Sequence, residues 1–174
     1  MRKAIFFVFL FLMIQCCAFA AEKITTVILT RHAEKMTAPE DDPVLNAQGK
    51  ERAELLATML ENSGVNAIYS SQYSRTKLTA EPLSKRLGLP VETVDANTTN
   101  KLVSSILSKH AGGTVLVVCH SNTLPEIVQA LGGGAIPEIG DLDYDNLYIV
   151  TVYQKGLAKV VRLKYFLSSP QVCQ

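Results

Sequence analysis

The sequence is short of the usual markers of metal, nucleotide and nucleic-acid chemistry. Its 174 residues include three histidines and four cysteines, with no HExxH or CxxC spacing among them, so a zinc site has no recognisable ligand set. The glycine run Gly132–Gly134 follows a helical segment rather than opening a strand-GxGxxG unit, which leaves a dinucleotide site unsupported. Neither sign of charge dominates, with 17 Lys and Arg against 16 Asp and Glu. A broad basic face for nucleic acid is therefore not expected, whereas a compact site holding a few cations is compatible with the balance. No repeat, low-complexity tract or linker divides the chain. A composition 48% hydrophobic and 19% charged fits one globular domain of α/β size.

The first twenty residues, MRKAIFFVFLFLMIQCCAFA, read as separate from that domain. Arg2 and Lys3 make a basic start, Ala4 to Ile14 an apolar stretch too short to span a bilayer comfortably, and Ala18-Phe19-Ala20 a small-residue cleavage signature. The expectation is a secretory signal at residues 1–20, cut after Ala20, and a domain over residues 21–174 in a periplasmic or secreted protein with no membrane contact after cleavage. A lipoprotein signal at Cys16-Cys17 and a retained anchor are the rival readings. Without the leader two cysteines remain, Cys119 and Cys173, which an oxidising compartment allows to pair but whose spacing does not require it.

Apolar runs rich in β-branched residues alternate with amphipathic segments along the rest. Strands are expected at Thr26–Leu29, Ala67–Ser70, Thr114–Cys119, Leu147–Tyr153 and Leu157–Leu163. One helix starts at the N-cap Asn46 and stops at Gly64. A second runs from Ser74 to Gly88, kinked or restarted at Pro82. A third covers Asn100–Lys109, and a fourth runs from Thr123 to Gly132–Gly134. The alternation predicts a three-layer α/β/α sandwich, its sheet mostly parallel with helices on both faces.

Ligands of open α/β sheets bind beyond the carboxyl ends of the strands, and three predicted strands end in polar chemistry. The first runs into Arg31-His32, the second into Ser70, Ser71 and then Arg75, and the third into His120. Two imidazoles and two guanidinium groups on one rim suit a phosphoryl group, because Arg offers paired donors to phosphate oxygens. A held imidazole can attack phosphorus through a ring nitrogen. Neighbouring arginines would repel a metal cation, so no metal or other cofactor is expected. His110, at a helix end before Gly112-Gly113, reads as a structural cation on the helix dipole. Tyr144, Asp145 and Tyr148 in DLDYDNLYIV precede a strand, where they could line the pocket mouth; the preferred reading is an ordinary turn and strand start.

Four blocks in order, RHAEK at Arg31, LNAQGKERA at Leu45, SSQYSRTKLTAEPL at Ser70 and VVCHSNTLP at Val117, resemble the histidine phosphatase superfamily, also called the phosphoglycerate mutase-like fold. The resemblance implies that His32 is the phosphate-accepting nucleophile, Arg31 and Arg75 the phosphate clamp, and His120 the second histidine of the pocket. It also implies a small phosphorylated substrate or a phosphoprotein as partner, and it leaves the oligomeric state open. Two departures stand out. The segment VETVDANTTNKL lacks the Glu-rich pattern that carries the proton donor in mutases, and Ser121-Asn122 follows the second histidine where acid phosphatases and phytases have Asp. In this the chain is similar to the small single-domain phosphatases that act on phosphohistidine. Glu34 is the preferred substitute acid, its other reading being a solvated loop carboxylate paired with Lys35, and Glu40, Asp41 and Asp42 are the fallback. A noncatalytic phosphate-binding protein of the same fold is the alternative function.

Overall fold

A computed structural model describes residues 23–167, so the expected leader and Cys173 lie outside the described residues. Six strands and four helices alternate along them. They are β1 (Thr25–Arg31), α1 (Ala47–Leu60), β2 (Val65–Ser70), α2 (Ser74–Leu87), β3 (Val91–Thr93), α3 (Thr99–Lys109), β4 (Thr114–Cys119), α4 (Thr123–Ala130), β5 (Asn146–Gln154) and β6 (Leu157–Lys164). The strands form one sheet in the order β3-β2-β4-β1-β5-β6.

The period-2 alternation of the strands sorts their side chains onto two cores. Val27 and Leu29 of β1, with Val115 and Val117 of β4, join Leu102, Ile106, Leu124 and Ile127 of α3 and α4 on one face. Ile28, Leu116 and Val118 join Leu56, Leu60, Ala80 and Leu83 of α1 and α2 on the other. Because both faces are covered, β1 and β4 are continuous apolar runs rather than alternating ones.

The sheet is less parallel than the alternation predicts. β3, β2, β4 and β1 pair in parallel, but β5 is antiparallel to both β1 and β6. The connection between β5 and β6 is only the turn Lys155-Gly156, and a parallel crossover needs a far longer link. The short β3 was also absent from the sequence reading. At Pro82 the expected restart does not occur, since α2 runs through it unbroken to a left-handed cap at Gly88, φ 66°.

Local signals fix how the functional segments are held. The Asn46 side chain accepts from Gly49 N–H at 2.8 Å, capping α1 as its position before the helix predicts. Gly49 allows that first turn to press on the chain after β1, because a Cβ there would come within 2.1 Å of the Glu34 carbonyl oxygen. The start of α2 is held differently, by Asp42, which accepts from Ser74 N–H at 2.8 Å and Ser74 Oγ at 2.7 Å. These bonds to Ser74 hold the Asp42 carboxyl below its usual pKa.

Candidate active site

The topology singles out the carboxyl end of β4. The helix after β4 lies on one face of the sheet, while the helices after its neighbours β1 and β2 lie on the other. Chains that part in opposite directions open a crevice at that point. Arg31 ends β1, the His32 N–H donates to the Cys119 carbonyl at 2.9 Å, and His120 follows β4 directly. The crevice is a cavity of about 320 Å³ whose walls include Arg31, His32, Lys35, Tyr73, Arg75, His120 and Asn122. The structure thus brings together four of the five sequence-named site residues.

The two imidazoles stand with ring centroids 5.5 Å apart. His32 Nδ1 lies 2.8 Å from the Ala33 carbonyl oxygen. A carbonyl can only accept, so Nδ1 carries the hydrogen and the neutral ring keeps its lone pair at Nε2. Burial pushes the His32 pKa down to about 3 against the Ala33 bond, with Arg31, His120 and Arg75 lowering it further. Burial and the same two arginines lower that of His120 to about 4. At neutral pH both rings are therefore uncharged, and Nε2 of His32 is a free nucleophile.

The two arginines are fixed but not saturated. Arg31 Nη1 donates to the carbonyls of Gly140 and Asp141, each at 2.9 Å, and its guanidinium lies 4.4 Å from the Tyr144 ring centroid. The Arg75 guanidinium lies 4.3 Å from the Tyr73 ring centroid. Yet Nε of Arg31 and Nε of Arg75 are both buried without a hydrogen-bond partner. Those two atoms are closed off from the cavity, but both arginines also line it beside the neutral imidazoles, and two cations on one wall suit an anion.

Glu34 is not brought to this cavity. Its carboxylate is buried against Arg52, at 3.0 and 2.8 Å from Nε and 2.6 Å from Nη2. It is neither solvated nor paired with Lys35, as the alternative reading of the sequence had it. Among the cavity walls no carboxylate occurs. Asp42 is the nearest of the fallback acids to the clamp, 3.9 Å from Arg75 Nη1, but it is already engaged by Ser74. Tyr144 is more than a turn residue, since its ring stacks on Arg31 and lies 6.0 Å from that of His32. Tyr148 is buried in the core and Asp145 pairs with Lys164. His110 is the C-cap of α3 and meets the Tyr69 hydroxyl at 2.9 Å. Cys119 is a free buried thiol, and burial pushes its pKa up to about 12.

The sequence reading missed the contacts of Ser71, whose Oγ lies 2.8 Å from His120 Nε2 and 2.8 Å from Thr76 Oγ1. It also missed the aromatic backing of both arginines. A Tyr two positions before Arg75 was a visible cue for one of these; Tyr144 was open to a place at the pocket mouth, but not as the partner of Arg31, more than a hundred residues away.

Residues 27–96 match the histidine phosphatase superfamily (branch 1). A segment of 71 residues is 39% identical to phosphoserine phosphatase 1 of Hydrogenobacter thermophilus, covering 37% of this chain and 34% of that protein. The match therefore spans about a third of the length of that curated relative. Among solved structures, the protein histidine phosphatase SixA complexed with tungstate aligns with a TM-score of 0.66 at 19% identity, over 80% of this chain and 96% of that one. Mycobacterial glucosyl-3-phosphoglycerate phosphatase Rv2419c aligns with a TM-score of 0.65 at 14% identity, over 83% and 100%. YhfR of Bacillus stearothermophilus aligns with a TM-score of 0.66 at 20% identity, over 79% and 95%. At these identities the structures share a fold with this chain.

Proposed function

We propose, from the match of residues 27–96 to the histidine phosphatase superfamily (branch 1) and from the shared fold, that this chain is a member of that superfamily and hydrolyses phosphorylated small molecules or phosphoproteins through a phosphohistidine at His32. The observation that carries the reading is the pairing of a neutral imidazole, its Nε2 lone pair free, with two arginines that line the same cavity. In the reaction the Nε2 lone pair forms a bond to phosphorus and the bond to the leaving atom breaks. The electron pair departs with the leaving group, which takes up a proton. Water then attacks the phosphohistidine, the P–Nε2 bond breaks, and inorganic phosphate leaves with His32 restored. Arg31 and Arg75 hold the equatorial oxygens through both steps, where their charge counts most as the transition state develops.

The absence of a carboxylate from the cavity walls favours a leaving group that needs little help. Protonation of a poor alkoxide leaving group is worth roughly 10²–10⁴ in rate, whereas the nitrogen of a phosphoramidate departs more readily. Phosphohistidine and other phosphoramidates are thus the preferred substrate class, without a metal. Export to the periplasm or medium is part of the proposal and rests on the leader-like residues 1–20 alone.

The same missing acid favours a second reading, a phosphate-binding protein of this fold without turnover. One experiment separates them. Incubated with a labelled phosphoramidate in the presence of a chelator, the protein should acquire an acid-labile, base-stable phosphoryl group at His32 and release phosphate, and His32→Ala should do neither. Binding of inorganic phosphate with no phosphoenzyme and no release establishes the second reading. Label on another residue, or activity that the chelator abolishes and zinc restores, overturns the mechanism.

A further inference from the structure

We infer that Ser71 and Thr76 act together as a positioning pair that fixes His120 as its Nε2–H tautomer and turns Nδ1 toward the phosphate cavity. The hydrogens are assigned outward from the backbone carbonyls. Thr76 Oγ1 lies 2.8 Å from the Tyr73 carbonyl and 3.2 Å from the Ser71 carbonyl. Carbonyls only accept, so the single hydroxyl hydrogen of Thr76 is committed to them. Thr76 Oγ1 is then left as an acceptor for Ser71 Oγ, 2.8 Å away, and the Ser71 hydrogen is spent there. Ser71 Oγ faces His120 Nε2 at 2.8 Å with lone pairs only, so the hydrogen between them belongs to Nε2. Any other assignment leaves two oxygens, or an oxygen and a bare ring nitrogen, in contact with no hydrogen between them. Ser71 and Thr76 are both buried, at 5% and 0% exposure, so water cannot relieve such a mismatch.

The consequence concerns the chemistry of the same cavity. His32 presents Nε2 because its Nδ1 is held by a backbone carbonyl, and His120 presents Nδ1 because its Nε2 is held by Ser71. Among the described residues His120 Nδ1 has no hydrogen-bond partner, and His120 lines the cavity, so Nδ1 is the ring nitrogen left to it. An uncharged Nδ1 there repels a phosphate dianion, so a phosphoryl ligand brings a proton that His120 Nδ1 shares with one of its oxygens.

The test reads the ring directly in the full-length protein. Nitrogen shifts of ¹⁵N-labelled histidine distinguish the two neutral tautomers at each of the three rings, with His110 as an internal control remote from the cavity. His120 should be the Nε2–H form in the wild type, and the Nδ1–H form there overturns the inference whatever the variants do. Thr76→Val removes the acceptor without touching the ring and frees the Ser71 hydrogen to turn toward Nε2. It should convert His120 to the Nδ1–H form, while Thr76→Ser should retain the wild-type form. An unconverted His120 in a folded Thr76→Val protein overturns the relay. The tautomer measurement needs no turnover, so it stands or falls apart from the phosphatase reading. The kinetic arm rests on that reading: Thr76→Val should lower kcat by roughly 10²–10⁴-fold with little change in KM, and Thr76→Ser should restore it. A loss confined to KM overturns the proposed role in the chemical step.

Discussion

Two parts of this molecule bury arginine, and they settle its charge in opposite ways. Arg52 lies on α1, its guanidinium bonded to both oxygens of Glu34 and to the Tyr165 carbonyl at 3.0 Å. Burial works against its charge, and Glu34 outweighs that, holding its pKa above the usual value. Arg31 and Arg75 are anchored by carbonyls or an aromatic face, yet each keeps a buried Nε with nothing to bond. A saturated guanidinium is part of the scaffold, because any ligand must first break what it has. Arg31 and Arg75 instead line the cavity without the two-oxygen carboxylate contact that Arg52 has, which leaves their charge available to an anion.

The largest effect that tests this contrast is on stability. Glu34→Gln leaves Arg52 as a buried, uncompensated cation, and should lower unfolding free energy by about 3–5 kcal/mol in denaturant titrations. The same variant should slow good and poor leaving groups alike. A selective loss on a poor leaving group, with stability kept, would instead return Glu34 to the mechanism as the acid.

Arg75→Ala should show the reverse pattern. Removing a donor aimed at the transferred group costs roughly 10²–10³ in kcat, and it should do so for every substrate because the clamp does not touch the leaving group. Stability should be unchanged or raised, since an unpaired buried donor goes with it. A strongly destabilised Arg75→Ala protein would break the distinction between the two classes of arginine.

A third effect is on pH dependence. His32 and His120 have pKa values depressed to about 3 and about 4, below the 6.5 of the unfolded chain. Between pH 6.5 and 4 the unfolded state binds two protons that the folded state does not, so stability should fall as the pH falls through that window. The slope is at most about 2.7 kcal/mol per pH unit, and it fades below the folded values. Replacing both rings by Asn should flatten the curve in chemical denaturation at a series of pH values, whereas an undiminished slope would place its origin elsewhere.

Reading the sequence went furthest where the physics is local. Asn46 before a helical run, Gly88 after one, and β-branched runs of strand length act within a turn or a strand, and each is where the chain alone puts it. The Arg31-His32 pair was legible as a site because it interrupts such a run at a strand end. The two antiparallel strands were legible as strands but not as antiparallel, because direction depends on how short the connecting turn is and on which neighbour each strand meets.

Local chemistry along the chain therefore sets the order of the elements other than β3, the caps at Asn46 and Gly88, and the candidate cations and imidazoles of the rim. The tertiary structure alone decided which of these groups are free. Glu34 and Arg52 stand eighteen positions apart, and nothing nearby marks them as partners until α1 packs across the end of β1. Ser71 meets His120 across 49 positions, and Arg31 meets the Gly140 carbonyl across 109. Whether a buried donor is saturated or left for a ligand depends on every neighbour within hydrogen-bond reach, and chain separation says nothing of those neighbours until the strands pair.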